Sequence, residues 1–490
     1  MTASEFEKTE VPTDGADEDG SLKGSLGTGG VLFAVLAYNG PLSVVMGFVP
    51  VIIFSGGLGS PALFVIGGIL LTLFAVGFLA MGRHMKNPGA FYSYATAGLG
   101  RPAGVAASFI ALFSYYVTLL GSLAYAGLSL PSLVHDTLYG PQMDWWVAAL
   151  IYAGLLAVLG YFSIELSSKV LGVLLAGELG IILLLNLFVG AKVGPSNFDY
   201  YVFTPSEWGA SSIGLALLFV MLCFGGFEAT AVFREEVKDP DRTIPRATYL
   251  TIVVIVTMFA ISTWMFINGF GASNGFGVDK VVEAAGADPF GATTANISTY
   301  MGAVAVDAVT ILLCTSIFAS TLACHNIISR YLYNLGVDSV IPHHLGKVHA
   351  HHGSPHVASI VVSVATISAI AILALVSADP ATLYSTLIGV AGYAILILLF
   401  VTSVAIIVYL NRHRAQGMGF GTRVVAPGLA VVGLFVSVYL ATKNMGLLVG
   451  SETRGNLLIA LVALIAVAGV GVALYCRAKK PEAYQSIGRQ

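Results

Sequence analysis

The stretch CFGGFEATAVFREEVKDPDRTIPRA, Cys223–Ala247, follows an apolar run, breaks at Gly225 and Gly226, and at once presents a carboxylate, Glu228. In hydrocarbon an open backbone and a charge are both penalised, because no water is present to satisfy them. If the chain spans a bilayer, a break at this place therefore implies a cavity or a protein-lined site.

Composition says that it does span one. Of 490 residues 57% are hydrophobic and 10% charged, against about a quarter charged in soluble domains, and the mean hydropathy is +0.86. Apolar runs long enough to cross about 30 Å of hydrocarbon as helices lie near 29–55, 60–82, 102–130, 145–163, 169–190, 209–236, 247–269, 300–331, 356–377, 381–411, 424–443 and 455–476. The expected fold is all-α integral membrane with twelve transmembrane helices in one domain, 26–477. Residues 1–25 are acidic and polar and read as a disordered cytosolic tail without a cleavable signal peptide, and 478–490 as a second cytosolic tail. With the N-terminus inside, nearly every Lys and Arg falls on the cytosolic side, Lys192, Lys280, Lys443 and Arg454 excepted, which places both termini there. Cys223, Cys314, Cys324 and Cys476 all fall within spans and read as buried thiols. The net charge of −3 selects no partner class, and the absence of a phosphate-cradling Gly-rich loop speaks against an ATP-driven pump.

The first and sixth spans are unusual. The first contains LAYNGPLSVV, Leu36–Val45, where Gly40-Pro41 removes a backbone donor in mid-membrane. Interruptions five spans apart are the signature of an inverted-repeat transporter. They divide the chain into repeat one, about 29–190, repeat two, about 209–411, and two appended helices, 424–476.

The same residues resemble a known family. FGGFEATAVFREEVKDPDRTIPRA is similar to the sixth-helix signature of the amino acid–polyamine–organocation permeases. HNIISRYLYNLGVDSVIPHHLGKVHAHHGSPHVA resembles their eighth helix and following loop, and NPGAFYSYATAGLGRPAG their loop between the second and third helices. The resemblance implies a leucine-transporter-type 5+5 fold, with helices one and six broken, and ion-coupled movement of amino acids, amines or polyamines across the plasma membrane. In the family the unwound first helix usually reads Gly-Ser-Gly and receives the substrate carboxylate on free amides. Here Gly40-Pro41-Leu42-Ser43-Val44 stands there. Pro41 supplies no amide, which resembles the putrescine-importer branch and favours an amine or polyamine over an ordinary α-amino acid.

The expected substrate site is Tyr38, Asn39, Gly40, Pro41 and Ser43 at the first break, Cys223, Phe224, Gly225, Gly226 and Phe227 at the second, and Tyr116 on the third span, with Tyr115 beside it as a further aromatic candidate. Glu228 opens the second half of the sixth helix. There it either couples an ion, holds a substrate amine, or caps freed amides. Glu178, well inside the fifth span, is an intramembrane acid and so a functional residue by default. Several proton-coupled relatives carry a lysine at the matching position, whereas a glutamate ligates a cation or shuttles a proton, or simply hydrogen-bonds across helices. These two acids point to a proton rather than sodium. Ser316, Ser320 and Thr321 are weaker candidates for sodium, their hydroxyls serving otherwise for close helix packing. Asp307 lies near the outer end of its span. No cofactor motif is present. The cluster His343, His344, His349, His351, His352 and His356 raises a remote rival, a membrane metalloenzyme, but such sites need several separated clusters with two or three residues before a His-His pair, whereas HAHH has one intervening residue and no second cluster occurs, so the segment reads as a solvated loop.

Overall fold

The computed structural model describes residues 27–85, 91–162, 168–208, 212–227, 237, 239–272, 278–287, 289–349, 354–413 and 419–488. Every regular element among them is a helix. In chain order these are α1 (Thr28–Asn39), α2 (Pro41–Ser43), which runs through a π turn (Val44–Phe48) into α3 (Val49–Gly56), α4 (Ser60–Gly82), α5 (Phe91–Leu99), α6 (Arg101–Ser132), α7 (Trp145–Tyr161), α8 (Ser168–Val193), α9 (Pro205–Trp208) and α10 (Ile213–Leu222). There follow α11 (Pro240–Ala272), α12 (Val278–Ala287), α13 (Pro289–Met301), α14 (Ala303–Val337), α15 (His356–Leu375), α16 (Pro380–Arg412), α17 (Ala426–Leu448), α18 (Glu452–Lys479) and α19 (Pro481–Ser486). Among the described residues nine helical stretches are long and apolar enough to cross a bilayer, and α7 and α10 are shorter apolar helices.

Both expected interruptions that lie in the described residues have a local cause. Gly40 adopts φ 59° and ψ 70° and caps α1, its N–H bonding to the Leu36 carbonyl, and Pro41 then occupies the first position of α2. A left-handed glycine ends a helix cheaply, and a proline with no amide to lose starts the next. At the other break α10 gives way to a chain of tight turns, with Gly225 N–H bonding to Leu222 O at 2.8 Å and Phe227 N–H to Phe224 O at 3.3 Å. Gly226 sits at φ 91°, a conformation that favours glycine.

The long helix α6 forms the spine, packing on α14, α16 and α18, while α10 lies against α4, α16 and α17. The short helix α5 is pressed onto α16. A methyl group at Gly98 would stand 2.2 Å from the Ala405 carbonyl oxygen, so only glycine permits that approach. On the outside of the bundle, Leu187 on α8 and Leu464 and Val467 on α18 are well exposed, as an apolar surface meant for lipid requires. The segment read as a second tail, 478–490, is described up to Gly488. Helix α18 runs to Lys479, and α19 folds back on the bundle end.

Candidate functional site

The two breaks meet. The Asn39 side-chain amide, at the end of α1, donates to the Cys223 carbonyl and, at 3.4 Å, to the Gly225 carbonyl. Those carbonyls lie beyond the C-terminal end of α10, where helical carbonyls lack intrahelical donors and the helix dipole is negative. One side chain thus ties the first interruption to the second.

On the far side of the first break lies Glu178. It is 4% exposed, and its Oε2 accepts the Leu42 backbone N–H at 3.0 Å. Ser43 Oγ, one residue on from Leu42, donates to Ser316 Oγ at 3.1 Å. Helices α8 and α14 thereby grip the start of the helix that follows Pro41. A carboxylate at a helix N-terminus is favoured by both the orphan amides and the dipole. Here the carboxylate comes from another helix, so the cap doubles as a tertiary brace.

Between the breaks is a cavity of about 90 Å³. That is small beside the roughly 300–1,000 Å³ of open ligand sites. Its polar wall includes Asn39, Ser43, Tyr115, Thr118, Cys223 and Ser320. Some of these groups are already committed: Thr118 Oγ1 donates to Ser114 O at 2.8 Å and Ser320 Oγ to Ile317 O at 3.0 Å. Two aromatic clusters border the cavity, through Phe48 and through Phe91 and Phe227 of its wall. At one, Tyr384 stacks on Tyr125 at 4.6 Å and meets Phe48 edge-on at 6.0 Å, with Phe290 beyond. At the other, Phe227 meets Phe74, Phe78 and Phe91 at 5.8, 6.0 and 6.5 Å. Tyr125, Tyr384, Phe91 and Phe227 are all buried, so the rings of both clusters are packed among their neighbours.

Of the residues expected at the site, Asn39, Ser43, Cys223, Gly225 and Phe227 line the cavity. Gly40, Pro41, Phe224 and Gly226 shape the breaks without appearing in the wall. Tyr116 is absent from the wall, which takes the neighbouring Tyr115 instead, and Tyr116 faces Thr366. The side chain of Tyr38 and the whole of Glu228 lie outside the described residues. Among the sodium candidates, Ser316 accepts from Ser43 at the first break and Ser320 lines the cavity. Thr321 gives its hydroxyl to Ile317 O, in its own helix, at 2.8 Å. Asp307 accepts from Thr137 Oγ1 at 2.9 Å. In the histidine-rich loop, His349 and His356 pack edge-on with Tyr161, while His351 and His352 lie outside the described residues. Among the described residues no group of three or more His, Cys, Asp or Glu is placed to hold a metal.

Sequence reading missed Ser114, Thr118 and Ser122, Phe48 and Phe91, and Cys324 in the cavity wall, and Tyr125 and Tyr384 above it. The first three carried a signal. Hydroxyls spaced four apart mark one helix face in an otherwise apolar span.

Comparison with known proteins agrees with this architecture. The sequence matches the family model described as Amino acid permease over residues 30–485. It is 25% identical over 221 residues to the amino-acid permease RocE of Bacillus subtilis, covering 42% of this chain and 46% of that one. To the low-affinity putrescine importer PlaP of Escherichia coli it is 23% identical over 319 residues, covering 64% and 65%. An uncharacterized transporter of Mycobacterium tuberculosis is 24% identical over 239 residues, 41% of this chain and 47% of that protein. The chain spans about half the length of several curated relatives that it matches. With the family match running over nearly its whole length, the chain belongs to the amino acid permease family.

Proposed function

We propose that this protein is a secondary active transporter that moves an amino acid or a related amine across the plasma membrane by alternating access, with a proton as the coupling ion. The observation that carries the reading is the Asn39 tie between the two breaks, beside a small cavity bordered by two aromatic clusters. A ligand ammonium suits the Cys223 and Gly225 carbonyls, which lie at the negative end of α10. Twelve spans in two inverted five-helix repeats, with two helices appended, allow a bundle that includes the broken helices to rock against the rest. Arg83, Arg101, Arg412 and Lys480 gather at the Phe91 end of the cavity, so that end faces the cytosol and the Tyr384 end faces outward.

Glu178 is the proton carrier. Its oxygen holds the Leu42 amide, and a protonated carboxyl is a weaker acceptor than a carboxylate. Proton arrival therefore loosens the grip of α8 on the first helix, and proton release restores it. Glu228 remains a second candidate for the same work.

A diamine is the second reading, favoured by one contact. Pro41 has no N–H and Leu42 gives its N–H to Glu178, so the head of that helix offers two fewer donors to a substrate carboxylate. The putrescine importer among the relatives fits this reading. Thermal stabilisation of the purified protein by amino acids, diamines and polyamines, at two pH values with and without sodium, decides between them, since a specific ligand raises the melting temperature by mass action. We expect a shift that Asn39→Ala abolishes and whose pH dependence Glu178→Gln removes. Matched pairs such as ornithine and putrescine report whether a carboxylate is tolerated. A panel without any shift rejects the site, and a shift that survives Asn39→Ala places it elsewhere.

A further inference from the structure

Phe91 and Tyr92 are neighbours at the start of α5 with opposite duties. Phe91 lines the central cavity and packs against Phe227. Tyr92 turns away, into a separate hydrophobic cluster with Val105, Leu335, Val340, Ala473 and Ile487. Its hydroxyl donates to Asp338 Oδ2 at 3.2 Å and accepts the Gly488 backbone N–H at 2.8 Å. Burial, with the Asp338 carboxylate beside it, holds the phenol well above its ordinary range, so the proton needed for this double role stays in place.

The segment 481–488 reaches this position along a series of fastenings. Lys480 Nζ bonds to Ser339 O at 3.5 Å. Arg101 lies over the Tyr484 ring at 5.2 Å and donates to Gln485 O at 3.3 Å. Ile487 is 2% exposed. Gly488 adopts φ 79°, and a methyl group there would stand 2.5 Å from Thr96 of α5. The segment therefore touches α5, the start of α6 and the residues just past the end of α14, and it meets α5 one residue from the cavity-lining ring.

From this geometry we infer that segment 481–488 is a latch that holds the inner gate shut, with Tyr92 as the positioning residue that transmits its grip to Phe91. A contact made in the closed conformation and lost in the open one biases the equilibrium toward closure by its own free energy. Releasing the latch raises the inward-open population without touching the cavity.

Two native thiols in the cavity wall, Cys223 and Cys324, make the test independent of any substrate, so its failure is distinguishable from failure of the functional proposal. In a Cys314→Ser/Cys476→Ser background, a charged thiol reagent is applied from one membrane face at a time. Tyr92→Phe keeps the ring and removes both hydrogen bonds. We expect it to raise labelling from the α5 face about two- to tenfold, the shift set by the one of these two bonds that reaches the latch, at ordinary strength. Labelling from the opposite face should not rise. Deletion of 481–488 should do at least as much, and Tyr92→Phe should add less in the deleted chain than in the full one, the non-additivity expected of partners in one contact. Unchanged labelling in Tyr92→Phe, or an equal rise from both faces, overturns the latch. Should the deletion fail to fold, the single substitution decides alone.

Discussion

Gly47 has no room for a methyl group. A Cβ there would stand 2.4 Å from the Tyr384 hydroxyl and 3.1 Å from the Tyr125 ring, the stacked pair beside Phe48 of the cavity wall. Gly47→Ala should therefore wedge that pair apart and destabilise this conformation by about 1–3 kcal/mol, the usual cost of overpacking. A melting curve checks it, and because the clash is with an oxygen, Tyr384→Phe in the same chain should restore most of the loss. Undiminished stability of Gly47→Ala would show that the stack is not packed as described. Nothing in the sequence marks Gly47, since 56 glycines stand in this chain and the clash arises from side chains far away along it. Glu178 was legible as a residue out of place in an apolar span. That its partner is the Leu42 amide was not, because a carboxylate's burial can be read locally and its acceptor partner cannot.

At the scale of the element, the first break was readable because its cause is local chemistry: Pro41 has no N–H and Gly40 tolerates the left-handed region. The pairing of that break with the second is a tertiary fact carried by Asn39. Asn39→Ala should cost about 1–3 kcal/mol of thermal stability, the price of leaving the Cys223 and Gly225 carbonyls without a donor. Asn39→Asp should cost more, since a carboxylate oxygen would then face carbonyl oxygens. Equal stability of all three proteins, measured by thermal unfolding, would remove the tie. On α6 the choice of Tyr115 over Tyr116 for the cavity turns on helix rotation. Adjacent residues point about 100° apart on a helix, and two neighbouring tyrosines give a sequence reader no phase.

For the whole molecule, membrane embedding followed directly from composition, and the positions of the long apolar helices from runs of apolar residues bounded by Gly, Pro and charge, whereas the shorter α5, α12 and α13 were not read. Long-range closure did not follow, because it depends on rings brought together from α6, α13, α16 and the π turn before α3 in one cluster and from α4, α5 and the turn after α10 in the other. Those two aromatic clusters carry a thermal signature. Opening either end exposes Phe and Tyr rings to water, and exposing apolar surface raises the heat capacity. An activation step with a positive heat-capacity change has an enthalpy that climbs with temperature. Transport measured in liposomes of a lipid without a phase transition in the range should thus give a curved plot of log rate against inverse temperature. Replacing Phe91 or Tyr384 by Ala should straighten it, so that on the proposed function the aromatic clusters set how steeply the protein responds to a cold or a warm day.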